Sequence, residues 1–490
     1  MSPILILSII AAYFAVLFAI GKITSKGADN DSFFIGNKQS PWWIVAFGMI
    51  GTSLSGVTFI SVPGWVGTAQ FSYMQMVLGY LVGYAVIATV LMPLYYRLNL
   101  TSIYTYLDDR FGRSSYRTGA SFFLLSRTIG AAFRLYLVAG VLQLTIFDAW
   151  NVPFIVTVVA TILFIWLYTY EGGIKTIIWT DTLQTLFMLL AVVLTVVIIS
   201  NQLGFGFSEM ISTIKNSDYS KIFFFEDVNH PKYFWKQFAA GASISLVMTG
   251  LDQDMMQKNL SCKNIGEAQK NMFSFSIVLV VVNLFFLALG ALLYLFAAAK
   301  GIEIPTKADD LYPIIATGGY LPIVVGILFI LGLIAAAYSS ADSALAALTT
   351  SACVDILDIE KKPKNEQVSL RKMVHVVMSV LLIITIMIFH WIGNDSVIAQ
   401  VFTFAGYTYG PLLGLYGFGM LTKLRVRDKL VPIICLASPL LTYLINVNSE
   451  ALLFGYKFGF ELLILNGAVT FVGLLLISKG LKVPTNDISD

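Results

Sequence analysis

The chain has 490 residues, of which 57% are hydrophobic and only 12% charged, against about 25% charged in an ordinary soluble chain. Too little polar surface remains to cover the cores a soluble chain of this length would build, and so apolar a chain is not disordered. The class left is a multi-span membrane protein whose outer surface faces a lipid bilayer.

A helix needs about 20 apolar residues to cross the hydrocarbon core, and backbone in lipid must satisfy its own hydrogen bonds. Apolar runs therefore read as helices, in an all-α integral membrane protein. They fall near residues 3–21, 42–66, 73–96, 119–147, 153–169, 177–200, 236–256, 272–299, 320–350, 372–391, 397–421, 431–447 and 456–478, which makes about 13 transmembrane helices. No basic residue precedes the first run, and Lys22 and Lys26 follow it. It reads as a retained span with its N-terminus outside, since a secretory signal wants a basic flank before its apolar stretch.

Alternating the remaining spans puts 22 of the 31 basic residues on the cytoplasmic side and 7 outside. This is the excess that cytoplasmic loops carry, and it sets the C-terminus in the cytoplasm. Lys258 falls on the cytoplasmic side, and Arg127 and Arg134 fall within the fourth span. The longer connections are 201–235 and 300–319 outside, and 22–41, 97–118 and 351–371 inside. Asp108, Asp109, Asp355, Asp358 and Glu360 in the inner ones read as solvated charge. The whole chain, 1–490, is one membrane domain. A net charge of +3 gives no ground for a nucleic-acid partner, and Cys262, Cys353, Cys435, His230, His375 and His390 have no metal-ligand spacing.

Two spans read badly as uniform helices. The second carries Gly48, Gly51, Thr52, Ser53, Ser55, Gly56 and Thr58 ahead of Pro63-Gly64. The seventh carries Gly241, Ser243, Ser245, Thr249 and Gly250 ahead of Asp252, Gln253 and Asp254. Gly disfavours helix, and Ser and Thr compete for backbone bonds. Small residues also serve as packing faces between membrane helices. Two such spans five apart match a five-plus-five inverted repeat, in which broken helices mark the binding site.

Polar groups recur at membrane depth. In the ninth span Ala336, Ser339, Ser340 and Ser343 share a helix face, an oxygen-rich patch suited to a hard monovalent cation. Asp342 lies beside them, and an intramembrane carboxylate usually faces a cavity, a partner or an ion. Asp181 and Gln184 share a face of the sixth span. Arg127 and Arg134 are seven residues apart, so they share a face of the fourth. Arginine keeps its proton, so each needs a carboxylate, backbone carbonyls or an anionic ligand. A structural pair with Asp181 or another carboxylate is one role, and substrate binding the other.

Five segments in order resemble the sodium:solute symporter family, which includes bacterial proline, sialic acid and sugar symporters and mammalian sodium–glucose and sodium–monocarboxylate cotransporters. They are Gly51-Thr-Ser-Leu-Ser-Gly56 with Pro63-Gly64; Gly172-Gly-Ile-Lys with Trp179-Thr-Asp-Thr-Leu-Gln184; Asp252-Gln through Gln257-Lys to Glu267-Ala-Gln-Lys270; Ala336-Ala-Tyr-Ser-Ser340; and Gly406-Tyr-Thr-Tyr-Gly-Pro411. The resemblance covers nearly the whole chain.

It implies a LeuT-type fold with an inverted repeat, 42–200 and 236–421, an extra N-terminal helix at 3–21 and two further helices within 431–478. It implies a sodium site made by the carbonyls of Gly51, Leu54 and Ala336 and the hydroxyls of Ser339 and Ser340. A further cation position, present in some members, corresponds to Asp181, Ser339, Asp342 and Ser343, with Asp342 standing where the family has a hydroxyl. Ser53, Ser55, Thr58, Gln75, Ser245 and Met248 correspond to cavity positions, with Tyr407 nearby. Sugar-type members place a lysine where this chain has Leu279 and polar residues where it has Val57 and Met248.

The expectation is therefore a sodium-coupled symporter, not an enzyme, that imports a small organic solute by alternating access. Na+ is its coupling ion, and no organic cofactor takes part. The solute is anionic or zwitterionic, such as a sialic acid, a monocarboxylate or an amino acid, with Arg134 as first partner and Arg127 as second. A neutral sugar, polyol or vitamin symporter and a proton-coupled transporter using Asp181 or Asp342 are the alternatives. The functional unit is expected to be a monomer, multi-pass in a cell membrane, the bacterial inner membrane.

Overall fold

A computed structural model of the protein describes residues 3–24, 40–100, 102–169, 173–392 and 397–482. The helices in chain order are α1 (Pro3–Thr24), α2 (Trp42–Leu54), α3 (Gly56–Ala69), α4 (Tyr73–Val86), α5 (Met92–Arg97), α6 (Thr105–Arg110), α7 (Arg113–Leu142), α8 (Phe154–Thr169), α9 (Gly173–Gln202), α10 (Phe207–Asn216) and α11 (Phe234–Ser245). They continue as α12 (Gln253–Leu260), α13 (Ile265–Lys300), α14 (Leu311–Thr317), α15 (Ile323–Ser351), α16 (Lys364–Ile392), α17 (Val397–Thr408), α18 (Gly410–Leu421), α19 (Val431–Val447), α20 (Ser449–Leu452) and α21 (Leu462–Leu476). Two short strands, β1 (Leu424–Val426) and β2 (Ser478–Lys482), pair antiparallel.

Among the described residues, eight helices are long and apolar enough to cross a membrane. The pair α2 and α3 forms a further unit, bent by 52°. Several of these helices present apolar side chains outward. On α16, Val377, Val380, Ile384 and Ile388 are exposed, and on α19 so are Ile433, Leu436, Leu440 and Leu444. A contiguous apolar surface of this kind is unfavourable in water and favourable against lipid.

The interior is organised around α9, which packs along α15 and α2, and around α4, which crosses α11. The second crossing explains part of the small-residue pattern. A Cβ on Gly241 would sit 2.0 Å from the Met76 carbonyl oxygen, and one on Gly79 2.1 Å from that of Phe238. Gly241 is therefore a close-packing residue. The seventh span breaks further on: a π-helical turn over Leu246–Gly250 continues α11, and the chain leaves helix at Leu251 and Asp252. Asp252 then caps α12, its carboxylate accepting the Asp254 amide at 3.0 Å.

The second span breaks where its composition predicts. Helix α2 ends at Leu54, Ser55 takes φ 11° and ψ 171°, and α3 starts at Gly56. The outer connections expected at 201–235 and 300–319 contain α10 and α14. Within the inner connection 351–371, Asp355 is buried rather than solvated, accepting from Tyr116 Oη at 2.8 Å and from Ser351 Oγ. Asp358 keeps the surface role expected of it. It pairs with Arg113, Arg117 and Lys361, and the Arg113 guanidinium holds its carboxyl below the usual range.

Candidate functional site

The last four carbonyls of a helix lack intrahelical donors. In α2 these belong to Gly51, Thr52, Ser53 and Leu54. Ser340 Oγ on α15 donates to the Thr52 carbonyl at 3.2 Å, so α15 runs beside the open end of α2. Ser339 Oγ donates to Asp181 Oδ1 at 2.6 Å. Both serine protons are thus committed, which leaves hydroxyl lone pairs for a cation. Ala336 is buried one turn earlier on α15. Carbonyls at the negative end of a helix plus two hydroxyl oxygens are the donor set a sodium ion takes.

Asp181 on α9 is fully buried and engaged on both oxygens. Besides Ser339, it accepts from Thr52 Oγ1 at 3.0 Å and from Lys258 Nζ at 2.6 Å. Lys258 also donates to Thr52 Oγ1. Lys258 is 1% exposed, which corrects its placement among cytoplasmic loop charges. Its partner is Asp181, and Arg127 finds others. Asp342 and Ser343 are buried close by on α15, with Asp342 Oδ1 accepting from the Ser343 amide and, at 3.3 Å, from Ser343 Oγ.

Arg127 on α7 meets the capped start of α12. It pairs with Asp254 and lies 3.9 Å from Asp252, and Tyr409 Oη donates to Asp252 at 2.6 Å. The carbonyls released at the second break are taken by tyrosines: Tyr95 Oη bonds the Gly250 oxygen and Tyr104 Oη the Leu251 oxygen, each at 2.9 Å. The two breaks therefore differ. One leaves carbonyls beside hydroxyls, and the other is closed by phenols and an ion pair.

Between the breaks lies a cavity. Ser53, Ser55, Thr58, Arg127, Arg134, Ser245 and Met248 from the expected set line it, with Leu54 and Val57. So do Thr52, Tyr73, Tyr80, Tyr84, Thr249, Leu279, Asn283 and Phe402, most of which sequence reasoning missed. Arg134 is buried, its Nε has no hydrogen-bond partner, and among the described residues it makes no ion pair. Ser245 Oγ donates to the Gly241 carbonyl at 3.0 Å. At one edge of the cavity, Tyr73 stacks on Phe402 and both contact aromatic neighbours, Trp65 and Phe460 respectively.

Two expected residues are not lining residues of this cavity. Gln75 accepts the Phe224 amide at 3.1 Å and donates to the Lys232 carbonyl at 3.0 Å, tying α4 to the connection between α10 and α11. Tyr407 accepts from Asn446 at 3.0 Å, and Tyr409, two residues on, is the tyrosine that reaches the arginine cluster. His375 and His390 have packing partners: His375 bonds Thr349 at 2.9 Å, and His390 stacks on Phe154.

The profile of the sodium:solute symporter family matches residues 33–423. The sodium/sialic acid symporter of Aliivibrio fischeri is 27% identical over 441 residues, which is 84% of this chain and 82% of the relative. That of Proteus mirabilis is 26% identical over 441 residues, 85% and 84% of the two chains. In fold, the chain is similar to a sodium-coupled sialic acid symporter in a substrate-bound outward-open state. The TM-score is 0.82 at 21% identity, over 97% of this chain and 99% of the other, and the shared architecture is LeuT-like. The chain thus belongs to the sodium:solute symporter family, whose members are sodium-coupled transporters rather than enzymes.

Proposed function

We propose that the protein imports a small organic carboxylate together with sodium, and that Arg134 receives the carboxylate. One observation carries this reading: among the described residues Arg134 lines the cavity without an ion pair, whereas Arg127 beside it is matched by Asp254 and Asp252. A buried guanidinium with no counter-charge is costly, and an anionic ligand relieves it with bidentate hydrogen bonds. The amino end of α3 opens at the same cavity through Val57 and Thr58, and the positive end of a helix favours anions. The sialic acid carried by two relatives is one such anion.

Sodium sits, in this reading, at the carbonyls of Gly51, Leu54 and Ala336 and the hydroxyls of Ser339 and Ser340. It ties α2 to α15 and completes the cavity wall, so sodium and solute raise each other's affinity by one factor. Lys258 already holds Asp181, so the further cation position at Asp181, Asp342 and Ser343 is secondary to it. Alternating access follows from rocking of one half of the fold against the other about this site.

The span count of thirteen is supported by the eight long helices, the bent α2–α3 pair, three shorter apolar helices and the broken α11–α12 unit. Two repeats, 42–200 and 236–421, accord with α4 packing on α11 while α13 packs on α2 and α3. The outside N-terminus, the cytoplasmic C-terminus, a bacterial inner membrane and a monomeric functional unit complete the proposal. The test is binding of a carboxylate panel, N-acetylneuraminate, lactate and alanine among them, to wild type and to Arg134→Gln in sodium. Loss of carboxylate binding in the variant, with its sodium-induced thermal stabilisation kept, is the expected result. Unchanged binding refutes the assignment.

A further inference from the structure

The cavity holds a second polar group with an unmet demand, on the side of α13. Asn283 is 1% exposed and lines the cavity one turn after Leu279. Its Nδ2 donates to the Leu279 carbonyl at 2.8 Å. That bond fixes the amide's orientation, because a flipped amide would set Oδ1 against the carbonyl oxygen, acceptor against acceptor. The oxygen is therefore the atom left over, and among the described residues it has no hydrogen-bond partner. Buried acceptors without partners are rare in folded proteins and unfavourable.

The chemistry of Asn283 Oδ1 differs from that of the other polar groups around the cavity. The hydroxyls of Ser53, Ser55, Thr58 and Thr249 can each turn to donate or accept, so they set no direction. Arg134 can only donate. Asn283 Oδ1 can only accept. The neighbouring Leu279 offers no polar alternative on the same helix face.

We propose that Asn283 is a specificity-determining residue, and that the transported solute carries a hydrogen-bond donor, a hydroxyl, ammonium or amide N–H, which meets Asn283 Oδ1 while its carboxylate meets Arg134. This rests on the carboxylate reading of the cavity. Arg134 projects from α7 and Asn283 from α13, so the two one-way groups orient the solute between different helices. An unsubstituted carboxylate leaves Oδ1 without a partner, and sites built to hydrogen-bond a substrate O–H or N–H reject analogues lacking it far more strongly than apolar pockets reject size changes.

The test uses matched carboxylates that differ in donor groups: lactate with propionate, alanine with propionate, and gluconate with hexanoate. Affinities for the purified full-length protein are measured in sodium by calorimetry. The donor-bearing member of a binding pair is expected to bind about tenfold or more tightly than its partner. Asn283→Leu is expected to remove that preference while keeping sodium-induced thermal stabilisation. Equal affinities within binding pairs, in wild type, overturn the assignment of Asn283 alone and point to a water on its oxygen; this comparison stands even if the variant does not fold. Binding by no carboxylate in sodium overturns the carboxylate reading, and the proposal with it.

Discussion

Lys258 Nζ lies 2.6 Å from Asp181 Oδ2, with both side chains excluded from solvent and the two residues on different helices, α12 and α9. Thr52 of α2 joins the same pair through its hydroxyl. The ammonium thus links the end of α2 to α9 and α12 in the buried interior. Removing one member of a buried ion pair leaves an unpaired charge and typically costs about 3–5 kcal/mol. Lys258→Met is expected to lower thermal stability by that order. The double variant Lys258→Met/Asp181→Asn should recover a large part of it, because neither charge then remains. A single variant as stable as wild type in a melting experiment would show that the pair does not bear on the fold.

Ser340→Ala tests the sodium site. Ser340 Oγ bonds the Thr52 carbonyl, and its loss removes that α2–α15 bond and, at the proposed site, a sodium ligand. A hydrogen bond or ligand contact to a charged group is worth about 1.5–3 kcal/mol. The sodium concentration for half-maximal uptake should therefore rise by about tenfold or more. Uptake with an unaltered sodium dependence would place the ion elsewhere.

Gly51 tests the packing that holds this end of α2. A Cβ there would stand 2.2 Å from Thr185 Oγ1 and 3.2 Å from Thr185 Cβ. Gly51→Ala must turn Thr185 out of its rotamer or shift α2 against α9, and overpacking of this kind costs about 1–3 kcal/mol. Adding Thr185→Ala removes the nearer clash, so melting temperature and sodium affinity should both recover. Persistence of the defect in the double variant would argue against a steric cause.

Asp309, in the connection between α13 and α14, gives a pH signature. It is buried, and its Oδ2 accepts the Val397 amide at 3.3 Å. Burial pushes its carboxyl up to about 6. The folded value lies above the unfolded one, so the unfolded state loses its proton first as pH rises. Stability is fully retained below pH about 4, declines between about 4 and 6, and is lower by about 3 kcal/mol above that. Asp309→Asn should flatten this part of the profile and raise stability at pH 7. A wild-type profile with the same shape as the variant's would contradict this.

The helical membrane architecture was legible because it rests on long apolar runs, which are local signals. The break at Leu54–Ser55 was legible for the same reason, since Gly, Ser and Thr accumulate in a few residues. The seventh span was harder. Its small residues suggested a break around Gly241–Gly250, but Gly241 is there to meet the Met76 backbone, and the chain leaves helix only at Leu251 and Asp252. Nothing local distinguishes a glycine that packs from one that unwinds. The need for ion pairs was legible, since an arginine within a span calls for a carboxylate, but the identity of the partners was not. Lys258 sits near a span end, as a cytoplasmic lysine would, and only the tertiary fold brings it to Asp181. Arg127 has the carboxylate pairing expected of one of the two arginines, with Asp254 and Asp252 rather than Asp181 as its partners. Asn283 gave no signal, because an asparagine within an apolar helix carries no mark of which atom its own backbone leaves unpaired.

Uptake into proteoliposomes reconstituted with the purified protein, using a labelled carboxylate that binds it, tests sodium-coupled symport most directly. An inward sodium gradient should drive accumulation above the external concentration, and replacing sodium by potassium should abolish it. An inside-negative potential, worth about 2.3 kcal/mol per charge per 100 mV, should increase it when more positive charge than negative enters per cycle. Accumulation that proceeds equally without sodium, or that a pH gradient alone sustains, would contradict sodium-coupled symport through this site.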